Sequence, residues 1–245
     1  MSTYYEQPQY RFQRERLTFA VQRLILINVA VYAFQLLVDI PFGYPVVPGS
    51  HTAPPGGKLF LEMLTFQPRY FLSGCLWQPL TYQFLHSGLM HLFMNMLWLF
   101  FFGPQVERTL GTRQFFLIYF VCGAGAVLFT LLSLFLFGRD PSVAGASGAV
   151  MAVLMAYVVI DPRRQFFLFP LPVPIPAWVL VCGVIVMNVV WGIQGDRSVS
   201  VSTHLGGLGL GYVYIKAIPL LRRWKIDRRR RAFDARKDGD VDIDG

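Results

Sequence analysis

Hydrophobic residues in this chain run in unbroken blocks, with neither the period-two alternation of half-buried strands nor the single apolar stripe of a surface helix. Six blocks approach the roughly 20 residues that an α-helix needs to cross a bilayer. They lie at about 20–38, 84–103, 114–137, 143–160, 177–193 and 201–221. The third and sixth are uninterrupted. The fourth is short and rich in small residues, and the first carries Gln22 and Arg23 near its start. The pattern predicts an all-α polytopic membrane protein, a bundle of six transmembrane helices. It divides the chain into an N-terminal segment (1–19), a membrane domain (20–221) and a tail (222–245) that is first basic, then acidic, and expected to be disordered.

Composition agrees. Of 245 residues 54% are hydrophobic and 15% charged, against about 25% charged in an average soluble domain, and the mean hydropathy is +0.46. The polar stretch Met1–Arg16 leads directly into the first block, which speaks against a cleavable signal peptide. Cys75, Cys122 and Cys182 form no C-x-x-C pair, so neither a disulfide framework nor a zinc cluster is expected.

The net charge of +8 would suit nucleic acid, but its distribution suits a membrane better. Six spans place both termini and the loops 104–113 and 161–176 on one side. That side carries Arg11, Arg14, Arg16, Arg23, Arg108, Arg113, Arg163, Arg164 and the ten basic residues from Lys216 to Lys237. The far side has only Lys58, Arg69, Arg139 and Arg197. By the positive-inside rule both termini are cytoplasmic in a multi-pass protein of the cell (inner) membrane. The "RRWKIDRRRR" stretch reads as an anchor on the lipid surface, and nucleic acid is not expected as a partner.

Three spans carry polar residues that are costly in hydrocarbon. "LHSGLMHLFMNMLWLF" holds His86, His91 and Asn95; "AGASGAV" holds Ser147 between glycines; "STHLGGLGLG" holds His204. At 1.5 Å per residue, Ser147 and His204 both fall roughly 9–11 Å below the same polar boundary. His91 enters from that same side, with Asn95 one turn deeper. Helix packing alone gives polar residues no reason to agree on depth. His91 and Asn95, four apart, share a helix face. His86 falls about 140° away from His91 on a continuous helix and is expected to be structural. Gly207 and Gly211 share the face of His204, while Gly148, Ala152 and Ala156 form a matching small-residue stripe. If the two stripes meet, Ser147 and His204 come together.

A serine in contact with a histidine, beside further hydrogen-bond donors, is the minimum for nucleophilic acyl transfer: the histidine takes the hydroxyl proton and the serine attacks a carbonyl. His91, Asn95 and the Ser147 backbone N–H can face the developing oxyanion. Asp39, Glu62, Glu107, Asp140, Asp161 and Asp196 all lie in loops or at span ends, so the residues suggest a Ser–His dyad without an acidic third member, and slow turnover.

From Trp77 to Gly211 the chain resembles the rhomboid intramembrane serine proteases. The resemblance is carried in order by "LWQPLTYQFLHSGLMHLFMNML", "GPQVERTLGTRQFFLIY", "GASG" and "HLGGLGLG". It implies a bacterial-type six-span rhomboid fold and cleavage of single-span transmembrane substrates within the bilayer. By the family pattern Ser147 is the nucleophile, His204 the base, and His91 and Asn95 the oxyanion site, with no cofactor or metal. It also implies substrate entry between the second and fifth spans. Two positions depart from the pattern. Met151 stands where an aromatic ring usually packs on the catalytic histidine, and Trp77-Gln78 replaces a Trp-Arg pair.

The alternative within this fold is a catalytically weak or inactive rhomboid-like protein that binds membrane clients without cutting them. A transporter would need polar groups along a path across the whole membrane, and here they stop halfway. A metal site from His86, His91 and His204 fits poorly with the phase of His86.

Overall fold

The computed structural model describes residues 17–39, 57–138, 142–167, 174–194 and 200–219. The basic C-terminal anchor and the acidic tail, and most of the N-terminal segment, lie outside the described residues.

Six apolar helical segments carry the fold among the described residues. They are α1 (Phe19–Asp39), α5 (Leu89–Leu110), the composite of α6 (Thr112–Leu117), a π turn (Ile118–Cys122) and α7 (Gly123–Phe137), then α8 (Ser147–Ile160), α9 (Ala177–Gln194) and α10 (201–219). Three short helices, α2 (Gly57–Leu64), α3 (Pro68–Leu72) and α4 (Gln78–Thr81), with a 3-10 turn at Tyr82–Phe84, fill the connection between α1 and α5. The β1 (Gln165–Phe167) and β2 (Pro174–Pro176) strands pair antiparallel between α8 and α9, a small ribbon that the apolar blocks do not announce. Four helices, α1, α5, α6–α7 and α9, are long and apolar enough to cross a membrane. The protein is an all-α, multi-pass membrane bundle.

Two boundaries differ from expectation. The second span begins at Leu89, not 84, and stays helical to Leu110 rather than ending at 103. The fourth begins at Ser147, not 143. In both cases the apolar block begins before the helix, with residues committed to loop hydrogen bonds. Leu85 donates its N–H to the Tyr82 carbonyl, and Val143 pairs with Phe66 through two backbone bonds of 2.8 and 2.9 Å.

The α8 helix is the centre of the bundle. Eleven of its fourteen residues are buried, packed on α5, α7, the π turn and α9. Fourteen residues rise only about 21 Å, less than the roughly 30 Å of hydrocarbon. A helix this short does not span that thickness by itself. The helical rise assumed over residues 142–146 does not apply, because those residues are not helical.

The buried carboxylate of Glu107 on α5 closes the start of α1. It accepts the N–H groups of Ala20 (3.0 Å) and Val21 (3.2 Å) and the hydroxyl of Thr112 (2.7 Å). Helix N-termini leave such donors unmatched, and a carboxylate there also meets the positive end of the helix dipole. Four residues on, Gly111 ends α5 with φ +85°, a region that favours glycine. The E-R-x2-G motif thus joins α1, α5 and α6.

Candidate active site

The loop before Ser147 is held by the connection between α1 and α5. Phe66 bridges Val143, and the Tyr82 carbonyl accepts the Gly145 N–H at 2.9 Å. Gly145 has φ +125°, and a Cβ there would lie 2.6 Å from the His91 ring. Glycine is therefore required both by the backbone turn and by the imidazole beside it. One residue separates Gly145 from Ser147. Ser147 is the first residue of α8, so its N–H has no carbonyl one turn back in the helix to meet. Beneath it, Tyr82 is fully buried and donates its hydroxyl to the Gly123 carbonyl at 2.6 Å.

The two small-residue stripes meet. A Cβ on Gly207 would overlap the carbonyl of Gly148, and one on Gly211 would stand 2.6 Å from the carbonyl oxygen of Ala152. Both residue numbers rise by four, so α8 and α10 run parallel in register. At the site end, a Cβ on Gly148 would come within 2.9 Å of Thr203 Cγ2. The residue after Ser147 thus touches the residue before His204. The adjacent Gly206 serves another neighbour, since a Cβ there would meet Phe129 and the Ala126 carbonyl on α7. A hydroxyl cluster fixes the start of α10: Thr203 lies 2.6 Å from both Thr130 and Ser200, and Ser202 lies 3.1 Å from Thr130.

His91 and Asn95 occupy the same face of α5, as their spacing predicts. Asn95 is buried, and its Nδ2 donates one hydrogen to the His91 carbonyl at 2.9 Å, which leaves the second hydrogen of that amide for another acceptor. His91 Nδ1 lies 3.0 Å from the Ser87 hydroxyl. His86 departs from expectation. Its ring does not point away from His91: the two imidazoles meet edge to face, 5.3 Å between centroids. The 140° separation assumed one continuous helix, but α5 starts at Leu89 and His86 precedes it in a loop. Gln35 on α1 pins that loop, accepting the His86 N–H at 3.0 Å and donating to its carbonyl at 3.3 Å.

Sequence reading overlooks Asn188. This side chain of α9 is buried, and its Oδ1 lies 2.9 Å from His204 Nδ1. The available signal was a lone amide in an apolar span, "VMNVVW", the same kind of signal that singles out Asn95.

The departures from the family pattern have plain settings. Met151 is buried one turn below Ser147, its Cβ 3.1 Å from where a Cβ of Gly207 would stand. Gln78 is fully buried. Its Oε1 accepts the Gln67 N–H at 3.1 Å and its Nε2 donates to the Met63 carbonyl at 3.3 Å, beside the Trp77 indole on the same carbonyl. The amide thus crosslinks the connection without a charge. No group of three or more metal-ligating side chains occurs among the described residues.

The rhomboid domain model matches residues 73–219, more than half of the chain. RHOMBOID-like protein 12, mitochondrial, of Arabidopsis thaliana is 32% identical over 158 residues, covering 58% of this chain and 46% of that protein. Rhomboid protein 1, mitochondrial, of Saccharomyces cerevisiae is 33% identical over 163 residues, covering 61% and 45%. Rhomboid protease GluP of Bacillus subtilis is 33% identical over 155 residues, covering 62% and 28%. The chain spans less than half the length of each of these relatives. With the helical membrane bundle and the ordered motifs, these matches establish that the chain belongs to the rhomboid family.

Proposed function

We propose that this protein is an intramembrane serine endopeptidase of the bacterial six-span type. In this reading it cleaves transmembrane segments of single-span membrane proteins with a Ser147–His204 dyad. The observation that carries the reading is the parallel register of α8 and α10 through Gly148/Gly207 and Ala152/Gly211, which sets the first turn of α10 against the first turn of α8.

The chemistry follows from that placement. His204 Nε2 takes the Ser147 hydroxyl proton as Oγ bonds to the scissile carbonyl carbon. The carbonyl oxygen becomes an oxyanion, met by the Ser147 N–H, the free hydrogen of the Asn95 amide and His91. Collapse breaks the C–N bond, and His204 returns the proton to the leaving amine. Water, deprotonated by His204, then attacks the acyl-Ser147 ester; the acyl C–Oγ bond breaks, His204 returns the proton to Oγ, and the second product leaves. Hydrolysis consumes water, so this reading requires a hydrated path from the outer side to Ser147.

The Lys and Arg distribution supports cytoplasmic termini in a cell inner membrane, which topology reporters fused to each end would check. The decisive experiment for the activity is fluorophosphonate labelling of the detergent-solubilised protein. Labelling that Ser147→Ala and His204→Ala both abolish, with an unchanged melting temperature, is the expected result. A wild-type protein that takes no label while still binding membrane proteins would make it a client-binding relative instead.

A further inference from the structure

The α9 helix touches the bundle along one line. Its buried residues are Ala177, Val181 and Asn188, which at 100° per residue fall within about 40° of one another. The rest of the helix is largely apolar and exposed, Val186 and Met187 included. A buried amide on this stripe is costly unless satisfied, and Asn188 is satisfied at both ends. Its Nδ2 donates to the Val184 carbonyl at 2.8 Å, and its Oδ1 faces His204 Nδ1 at 2.9 Å.

The first of those bonds decides the second. An amide turned the other way would set its oxygen against the Val184 carbonyl oxygen, two acceptors with no proton between them. With Nδ2 committed to Val184, Oδ1 can only accept, so His204 Nδ1 must be the protonated nitrogen. Neutral imidazole carries one N–H; the other nitrogen, Nε2, then holds the lone pair. That is the nitrogen a general base needs.

We propose that Asn188 is a positioning residue for the Ser–His chemistry: it holds His204 in the Nδ1–H form and in a fixed ring orientation, so that Nε2 is kept ready to take the serine proton. The inference rests on the protease reading above. A neutral amide does this without adding a charge to the bundle interior, where a carboxylate would be expensive. It also ties the orientation of the base to α9, the helix with the narrowest seat on the bundle.

The test combines a spectroscopic reading with a rate. Full-length protein labelled with 15N-histidine in detergent reports the His204 tautomer by NMR, the signal being assigned with His204→Ala. The expected result is the Nδ1–H form in wild type and its loss in Asn188→Leu. Fluorophosphonate labelling of Ser147 in Asn188→Leu should slow by about 10- to 1,000-fold, since a misoriented or wrongly protonated base costs orders of magnitude where an orienting partner is used. An Nε2–H form in the wild type overturns the proposal, whether or not Asn188→Leu folds. So does wild-type labelling in a folded Asn188→Leu. Failure of the protease reading looks different: the wild type takes no label at all, while the His204 tautomer still reports on Asn188.

Discussion

Gly207 of α10 rests against the backbone carbonyl of Gly148 on α8, with no room for a side chain between them. The contact sets the distance between the helices that carry the serine and the histidine. Gly207→Leu should therefore wedge the pair apart, lower the melting temperature and reduce fluorophosphonate labelling at least tenfold, overpacking costing typically 1–3 kcal/mol or more. Gly209 is the control: a Cβ there meets nothing within 4 Å. Gly209→Ala should leave labelling unchanged and stability equal or slightly higher, as alanine is favoured over glycine inside a helix by about 1 kcal/mol.

Asn95 has one amide hydrogen bonded to the His91 carbonyl and one to offer. If that hydrogen meets the oxyanion, Asn95→Ala should lower kcat by about 10- to 1,000-fold with little change in KM. Steady-state kinetics on a transmembrane substrate separates the two. A raised KM with an unchanged kcat would assign Asn95 to substrate binding.

Burial, and next the neighbouring His91, hold the His86 imidazole down to about 4, from an ordinary 6.5. The unfolded chain takes up a proton at His86 as pH falls below about 6.5, while the folded protein resists until about 4. Stability contributed by neutral His86 is therefore intact at pH 7 and is lost progressively between those values. Thermal melts across pH 4–7 should show this slope, and His86→Gln should make it shallower. Because its ring touches His91, the substitution is also expected to reduce turnover, by less than Asn95→Ala does.

Glu107 caps α1 from another helix. Glu107→Ala would leave the Ala20 and Val21 N–H groups buried without an acceptor, each costing about 1–3 kcal/mol. The expected outcome is a large fall in melting temperature. The labelling rate of the protein that remains folded should stay near wild type, since the cap is part of the scaffold. Fluorophosphonate labelling and a thermal melt on one sample distinguish the two effects.

Substrate entry between α5 and α9 can be tested by locking them. With Cys75, Cys122 and Cys182 replaced, cysteines at the Leu89 end of α5 and the Gln194 end of α9 would be joined by oxidation. Cleavage of a transmembrane substrate should drop at least tenfold, while the small fluorophosphonate still reaches Ser147. Unimpaired cleavage by the fully crosslinked protein would place entry elsewhere.

The membrane bundle was legible in the chain because length and apolarity of a span are local properties. So were the meeting of Gly148 and Ala152 with Gly207 and Gly211, and the shared face of His91 and Asn95, since both follow from helical periodicity. The family motifs added an order that no single span contains. Where periodicity ended, so did the reading. The ends of the apolar blocks at 84–88 and 143–146 look like helix, but Leu85 and Gly145 bond Tyr82, Val143 bonds Phe66 and His86 bonds Gln35, and off the helix the His86 ring meets His91. Glu107 looks like a charge at a span end until α1 is brought against it. Asn188 and His204 stand 16 residues apart on different helices, and no local pattern relates them. Periodicity tells a residue which way it faces; only the packed bundle decides what it faces.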